Sequence, residues 1–216
     1  MLKQFVKRAL GGPHQAAAIR RLPIVRGYLE LAELREWRSR QYEIPAPPSV
    51  KRRAIARNAI HGGTFIEAGT FLGDTAIAAQ RYSKRVVTIE ASPALCADLR
   101  PRLARYPNIE LIEGRSQEVL PDILTKVAGD VTFWLDAHAS GGITFDDPDI
   151  TSIKSDLSVI SSRLDHMDKV VVMIDDVRGF GYPPYPDVSF LLEWAKANAM
   201  KWKFELDMLC MERSAP

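Results

Sequence analysis

Residues 64–93, TFIEAGTFLGDTAIAAQRYSKRVVTIEASP, decide how this chain folds. Two short apolar runs, residues 64–68 and 85–90, carry Glu67 and Glu90 at or beside their ends. Between them lie a turn from Gly69 to Gly73 and a stretch of helical length. Short apolar runs bounded by turn signals read as strands buried on both faces, and a helix between two of them implies a parallel βαβ unit. Ser92 and Pro93 open the next helix, serine at the N-cap and proline in the first turn, and Leu95, Leu99 and Leu103 form its apolar stripe.

The alternation continues to the end of the chain. Strands are expected at residues 109–112, 131–135, 169–174 and 202–206. Ser116 is expected to cap a helix running toward Lys126. Ile150, Ile153, Leu157, Ile160 and Leu164 mark one face of another, and residues 187–199 make the last. This regularity implies right-handed crossovers and an α/β fold, a doubly wound, mostly parallel, Rossmann-like sheet. The closing stretch LDMLCMERSAP is short for a final antiparallel pair, so a truncated last strand is expected.

Upstream, residues 1–48 read as a helical, basic N-terminal arm ending in the stiff connector Pro45-Ala46-Pro47-Pro48, and residues 49–216 as the main domain. The arm's helices are interrupted at Gly11-Gly12-Pro13 and at Leu22-Pro23. A basic amphipathic stretch, residues 50–60, follows the connector and is stopped by Gly62 and Gly63. The net charge of +2 conceals an asymmetry, with +6 on residues 1–40 and −4 on the rest. Such an arm reads first as well-solvated basic helices; the alternative is an interaction tail that meets an acidic partner or pairs chains into a homo-oligomer, with an anionic membrane surface ranked lower. Its aromatics, Phe5, Tyr28 and Trp37, are not interleaved as a stacking platform, so no nucleic-acid partner is expected.

Composition excludes several classes. At 46% hydrophobic and 26% charged, the 216 residues are neither collagen-like, coiled-coil nor wholly disordered. No apolar run approaches the ~20 residues that span a bilayer, and the start, MLKQFVKRALGG, lacks the apolar core of a secretory signal. Two cysteines, Cys96 and Cys210, are too few for a disulfide scaffold, so a reducing, cytoplasmic location is expected.

Ligands of open α/β sheets bind beyond the carboxyl ends of the strands. Read in order, those ends present Glu67, Glu90, Glu113, Asp136 and the pair Asp175-Asp176. So many like charges in one row call for a cationic or hydrogen-bonding ligand. The first turn, E-x-G-x-x-x-G, lacks the second glycine of a dinucleotide fingerprint, because Phe71 stands there. Glu90 lies 21 residues beyond Gly69, where a carboxylate accepts bonds from both ribose hydroxyls. A nucleoside with hydroxyls but no phosphate fits both facts, and S-adenosylmethionine is such a ligand.

Asp175 and Asp176 are neighbours, so within a strand they would point to opposite faces. They converge only if the chain turns there. With Asp136 they would supply three hard oxygen ligands, a set suited to Mg²⁺; an Asp175–Arg178 ion pair is the structural alternative. His138, two residues past Asp136, is a candidate general base for deprotonating a hydroxyl, and Asp136 is another. Asp146, Asp147 and Asp149 form a second acidic loop, expected to favour the N-terminus of the following helix. Phe133 and Trp134 are expected in the core.

Over residues 63–209 the chain resembles the class I S-adenosylmethionine-dependent methyltransferases, on the pairing of FIEAGTFLGDTA with VVTIEASP. Within that class, FWLDAHASGG and VVMIDDVRGF look like the macrocin-type O-methyltransferases of antibiotic and sugar tailoring. The resemblance implies that Glu67, Gly69 and Gly73 wrap the methionine moiety, Glu90 holds the ribose, and Gly114, Arg115 and Ser116 edge the adenine. Thr70, Phe71, Asp74, Thr75, Ala91 and Asp136 complete the expected cofactor-binding set. It also implies a divalent metal, Mg²⁺, on Asp136, Asp175 and Asp176. The lysine base of catechol-type enzymes has no counterpart near the fourth strand. The function so implied is metal-assisted O-methylation of a small-molecule or sugar hydroxyl. A non-catalytic S-adenosylmethionine-binding module is the alternative, and an NAD-dependent oxidoreductase, disfavoured by Phe71, ranks below it.

Overall fold

The computed structural model describes residues 23–136, 152–183 and 185–214. Contacts divide the chain into two units, Met1–Lys51 and Arg52–Pro216.

In the first unit, α1 (Pro23–Ser39) starts on a proline, where a missing N–H costs nothing. It stops where Gln41 and Tyr42 adopt positive φ of 53° and 64°. The Trp37 indole N–H donates to the Glu43 carbonyl at 2.7 Å, and its ring meets Tyr42 edge-on at 5.0 Å, closing the helix end. Helix α2 (Pro48–Asn58) runs across the division between units.

The second unit alternates as the sequence predicts. Its elements are β1 (Thr64–Ala68), α3 (Asp74–Ala79), β2 (Arg85–Glu90), α4 (Pro93–Leu103), β3 (Ile109–Glu113), α5 (Ser116–Leu124), β4 (Gly129–Leu135), α6 (Ile153–Ser161), β5 (Met167–Ile174), α7 (Val188–Ala197), β6 (Lys201–Glu205) and β7 (Met208–Ser214). They build one seven-stranded sheet ordered β3-β2-β1-β4-β5-β7-β6. Strands β1 to β5 are parallel, while β7 runs antiparallel between β5 and β6. That insertion separates the sheet from the 3-2-1-4-5-6 order of dinucleotide-binding folds.

The period-two alternation of each strand sorts the core into two layers. Ile66, Val87, Val131, Phe133, Val172 and Ile174 face α5, α6 and α7 through Leu120, Leu124, Leu157, Ile160 and Leu191. Phe65, Val86, Trp134, Val171 and Met173 face the other way, onto Ala54, Ile55, Ala76 and Ala79. Phe133 and Trp134 are core residues, as expected. Two expectations fail here. Strand β7 is not truncated: six of its seven residues, Leu209 to Ser214, pair with β5 from Ile174 back to Lys169, and Met208 to Met211 are buried. Nor does Ser116 cap α5. Arg115 holds the N-cap position, and Ser116 is the first helical residue, its hydroxyl spent on Asp156. Ser92 does cap α4, accepting from the Leu95 N–H at 3.4 Å.

Candidate active site

The carboxyl ends of β1, β2 and β4 converge on the loop Gly69–Gly73. Gly69 has φ +98°, and a Cβ there would stand 2.7 Å from the Asp136 carbonyl oxygen. Glycine is therefore required both for the turn and for the close approach of the β4 end. The loop is laid onto β2 by N–H groups of Gly69 and Thr70, both donating to the Ile89 carbonyl. Arg102 of α4 clamps its far side, donating to the Leu72 carbonyl and to Asp74 at 2.6 Å. Phe71 adopts φ 47°, a left-handed conformation glycine takes freely and a bulky residue takes at a cost of about 1–2 kcal/mol. Phe71 thus holds a left-handed turn in place of a glycine, and its ring is left 42% exposed.

That backbone geometry serves Glu90. The Phe71 N–H donates to Glu90 Oε2 and the Ser92 N–H to Oε1, both at 2.9 Å. The carboxylate is thus fixed at the end of β2, and a carboxylate has about four acceptor sites, so two remain for a ligand. Ala91 beside it is exposed.

Glu67 lies deeper, 1% exposed, between Thr88 and Trp134 in the sheet register. Thr88 donates its hydroxyl proton to Glu67 Oε2 at 2.6 Å. Having spent that proton, Thr88 accepts from Thr70 Oγ1, also at 2.6 Å. Burial, only partly offset by the Thr88 bond and reinforced by the charges of Asp136, Glu90 and Asp74, pushes the Glu67 carboxyl up to about 8. A cation placed against it would restore its charge.

At the ends of β4 and β5 the three aspartates meet. Asp136 N–H donates to the Ala68 carbonyl, and Asp175 N–H to the Leu135 carbonyl, so both follow their strands in register. Asp176 turns into the left-handed region, φ 51°, and its N–H donates to Asp175 Oδ1 at 2.7 Å. This kink lets neighbouring side chains converge: one oxygen each from Asp136, Asp175 and Asp176 lie within 4.8 Å of one another. Asp175 and Asp176 are buried, Asp136 partly so. Arg178 does not settle on Asp175 as the alternative reading had it. It donates to Asp176 at 2.5 Å and pairs with Asp207 in the turn between β6 and β7.

Other expected residues fall differently. Glu113 ends β3 as the row of carboxylates requires, but it is exposed and paired with Arg100 at 2.9 Å, an ordinary surface ion pair. Gly114 N–H bonds the Glu90 carbonyl, which brings Arg115 and Ser116 alongside β2. Asp74 and Thr75 begin α3. His138, together with Asp146, Asp147 and Asp149, lies outside the described residues.

Two residues were missed from sequence. Asp207 anchors the acid loop through the Val177 and Arg178 N–H groups and the Arg178 guanidinium. Asp156, 1% exposed, accepts from Ser116 at 2.9 Å and Ser152 at 2.6 Å, tying the start of α5 to α6. Burial, opposed by those two bonds, pushes its carboxyl up to about 6. Its signal was present: an acid at the i+3 place of the stripe Ile153, Leu157, Ile160.

No protein-family description matches the sequence, and no curated protein does. The fold matches N-methyltransferase NodS from Bradyrhizobium japonicum WM9, at TM-score 0.54 and 10% identity, covering 78% of this chain and 96% of that one. It matches SMU.1697c of Streptococcus mutans, solved in complex with SAH, at TM-score 0.50 and 14% identity, covering 78% and 98%. It also matches the 23S rRNA methyltransferase ErmE, at TM-score 0.50 and 15% identity, covering 78% and 68%. The chain therefore has the fold of the class I S-adenosylmethionine-dependent methyltransferases. None of the three distinguishes the macrocin-type enzymes from the rest of that class.

The exclusion of nucleic acid does not stand. ErmE, described as acting on 23S rRNA, shares this fold, so the lack of a stacking platform in residues 1–40 excludes no such acceptor. No helix among the described residues is long and apolar enough to cross a membrane.

Proposed function

We propose that this chain is an S-adenosylmethionine-dependent methyltransferase of the macrocin type, transferring a methyl group to a hydroxyl oxygen of a small molecule or sugar. The observation that supports it most is Glu90, fixed by two backbone N–H groups at the end of β2 with acceptor sites to spare for vicinal ribose hydroxyls. Glu67 is placed to receive the cationic end of the methionine moiety, which would offset the cost of its burial. Gly114 to Ser116 edge the adenine, with Asp156 holding Ser116.

The acceptor hydroxyl would enter beside Asp136, Asp175 and Asp176. Its oxygen lone pair attacks the sulfonium methyl carbon as the carbon–sulfur bond breaks. The hydroxyl proton passes to His138 or Asp136, and S-adenosylhomocysteine leaves. The three carboxylates fit a divalent cation by chemistry, being hard oxygen donors on two adjacent strand ends. One oxygen from each lies within 4.8 Å of the others, and a cation held there would share Asp176 with the Arg178 guanidinium. When bound, the cation would polarise the acceptor hydroxyl and lower its pKa.

Calorimetric titration with S-adenosylhomocysteine, followed by a screen of sugars, phenols and an RNA oligonucleotide with labelled cofactor, tests the reading. Cofactor binding with methyl transfer to a sugar or phenol supports it. Binding without any transfer supports the non-catalytic module, and transfer to the oligonucleotide alone refutes the small-molecule acceptor.

A further inference from the structure

The two edges of the sheet differ. On the outer strand β3, Glu110 and Glu113 are tied to Arg85 and Arg100, a charged edge of the kind that resists pairing. Strand β6, outermost on the other side, reads Lys201-Trp202-Lys203-Phe204-Glu205. Trp202 and Phe204 share one face, each 48% exposed, with their rings edge-on at 5.6 Å. Two large exposed aromatics side by side on an edge strand that no other described strand pairs mark an interaction surface.

Hairpin geometry shows which backbone groups that surface offers. The connection between β6 and β7 has two residues, Leu206 and Asp207, so Glu205 and Met208 close it as a hydrogen-bonded pair. By alternation Lys203 and Lys201 also bond inward, to Cys210 and Glu212. The N–H and C=O groups of Trp202 and Phe204 therefore point away from the sheet.

We infer that β6 is the pairing edge of a two-fold dimer, in which two copies of this chain join their sheets antiparallel. An axis through Lys203 sets Trp202 opposite the partner's Phe204 and Lys201 opposite the partner's Glu205, each twice. The outward groups of Trp202 and the partner's Phe204 then exchange both bonds, as an antiparallel ladder requires. Aromatic pairs cover one face, and on the other Lys201 meets the partner's Glu205, a carboxylate that also holds Arg57, Asn58 and Lys203 of its own chain. The two Lys203 side chains meet at the axis, each beside its own Glu205, 3.3 Å away. Moving the axis one residue toward the start of β6, a two-residue slip of the pairing, would set Lys201 against the partner's Lys203 twice. Sliding the other way runs the pairing into the turn at Leu206. Charge and length thus select one register, and self-complementarity selects a second copy as occupant.

Sedimentation of the full chain over a range of concentrations tests this, with amide hydrogen exchange as the local readout. The expected result is a reversible dimer in which the Trp202 and Phe204 amides are protected. Lys201→Glu places like charges opposite Glu205 twice and should weaken association about tenfold. Phe204→Pro removes an outward donor without touching the bonds to β7, and should give a monomer with unchanged circular dichroism. A chain that stays monomeric at every concentration overturns the inference. So does a dimer whose mass and amide protection are unmoved by both variants, or a monomer whose Trp202 fluorescence is quenched only by single-stranded oligonucleotide.

Discussion

Replacing Glu67 by glutamine should make the ligand-free protein more stable and less able to hold its cofactor. Folded, the Glu67 carboxyl sits at about 8; unfolded, it returns to 4.5. The folded chain therefore keeps this proton longer, so the contribution to stability is greatest below pH 4.5 and falls as pH rises toward 8. Each pH unit in that window removes about 1.4 kcal/mol, which reaches about 3 kcal/mol at pH 7 and about 5 kcal/mol above pH 8. Glutamine copies the shape of the protonated acid, and its amide oxygen still accepts from Thr88 Oγ1. Urea unfolding in chelator-containing buffer should show parent and variant alike near pH 4. By pH 7 the variant midpoint should lie higher by about 1 M for a slope near 3 kcal/mol/M. S-adenosylhomocysteine should then stabilise the parent more than the variant, because the carboxylate is missing where the ligand ammonium is proposed to sit. Parallel pH profiles for the two proteins would refute the reasoning.

Gly69→Ala should lose about 3 kcal/mol or more in urea unfolding, since φ +98° and the Asp136 carbonyl 2.7 Å away leave no room, whereas Gly27→Ala, in open space on α1, should be neutral or stabilising. Phe71→Val and Phe71→Gly both remove the exposed ring, yet the glycine variant should be more stable by about 2 kcal/mol, because valine resists φ 47°; equal stabilities would show that the left-handed turn carries no strain. Mg²⁺ should raise the thermal midpoint of the parent and leave Asp176→Asn unmoved, with the variant's metal-free stability within about 1 kcal/mol of the parent because a like-charge cluster is relieved; an equal Mg²⁺ effect on both removes Asp176 from the proposed metal site.

The parallel core was legible because both faces of β1, β2, β4 and β5 are largely buried, which leaves short, mostly apolar runs that alternate with helices. The end of the chain was not. Strand β7 carries Glu212 and Arg213 in its outer half, so its pattern is broken just where it pairs with Val171 and Val170. The candidate site was legible wherever a carboxylate sits at a strand end: Glu67, Glu90, Asp136 and Asp175 follow directly from where their strands stop. Sequence could not separate Glu113 from that row, because its partner Arg100 comes from the helix before its strand. Nor could it find Asp207, which reaches the acid loop from 29 positions beyond Arg178 through a hairpin. Phe71 was read as a departure from a glycine motif; its backbone holds the glycine conformation, which no residue-type pattern reveals.

The central claim is that the edge built by Glu67, Gly69 and Glu90 is an S-adenosylmethionine site. Calorimetric titration of S-adenosylhomocysteine into the parent chain and into Glu90→Ala tests it most directly. The account predicts one saturable site in the parent and an affinity about ten- to a hundredfold lower in the variant, as loss of a charged acceptor implies, with urea unfolding confirming that both are folded. A folded parent that releases no heat, or a variant that binds as tightly as the parent, would contradict it.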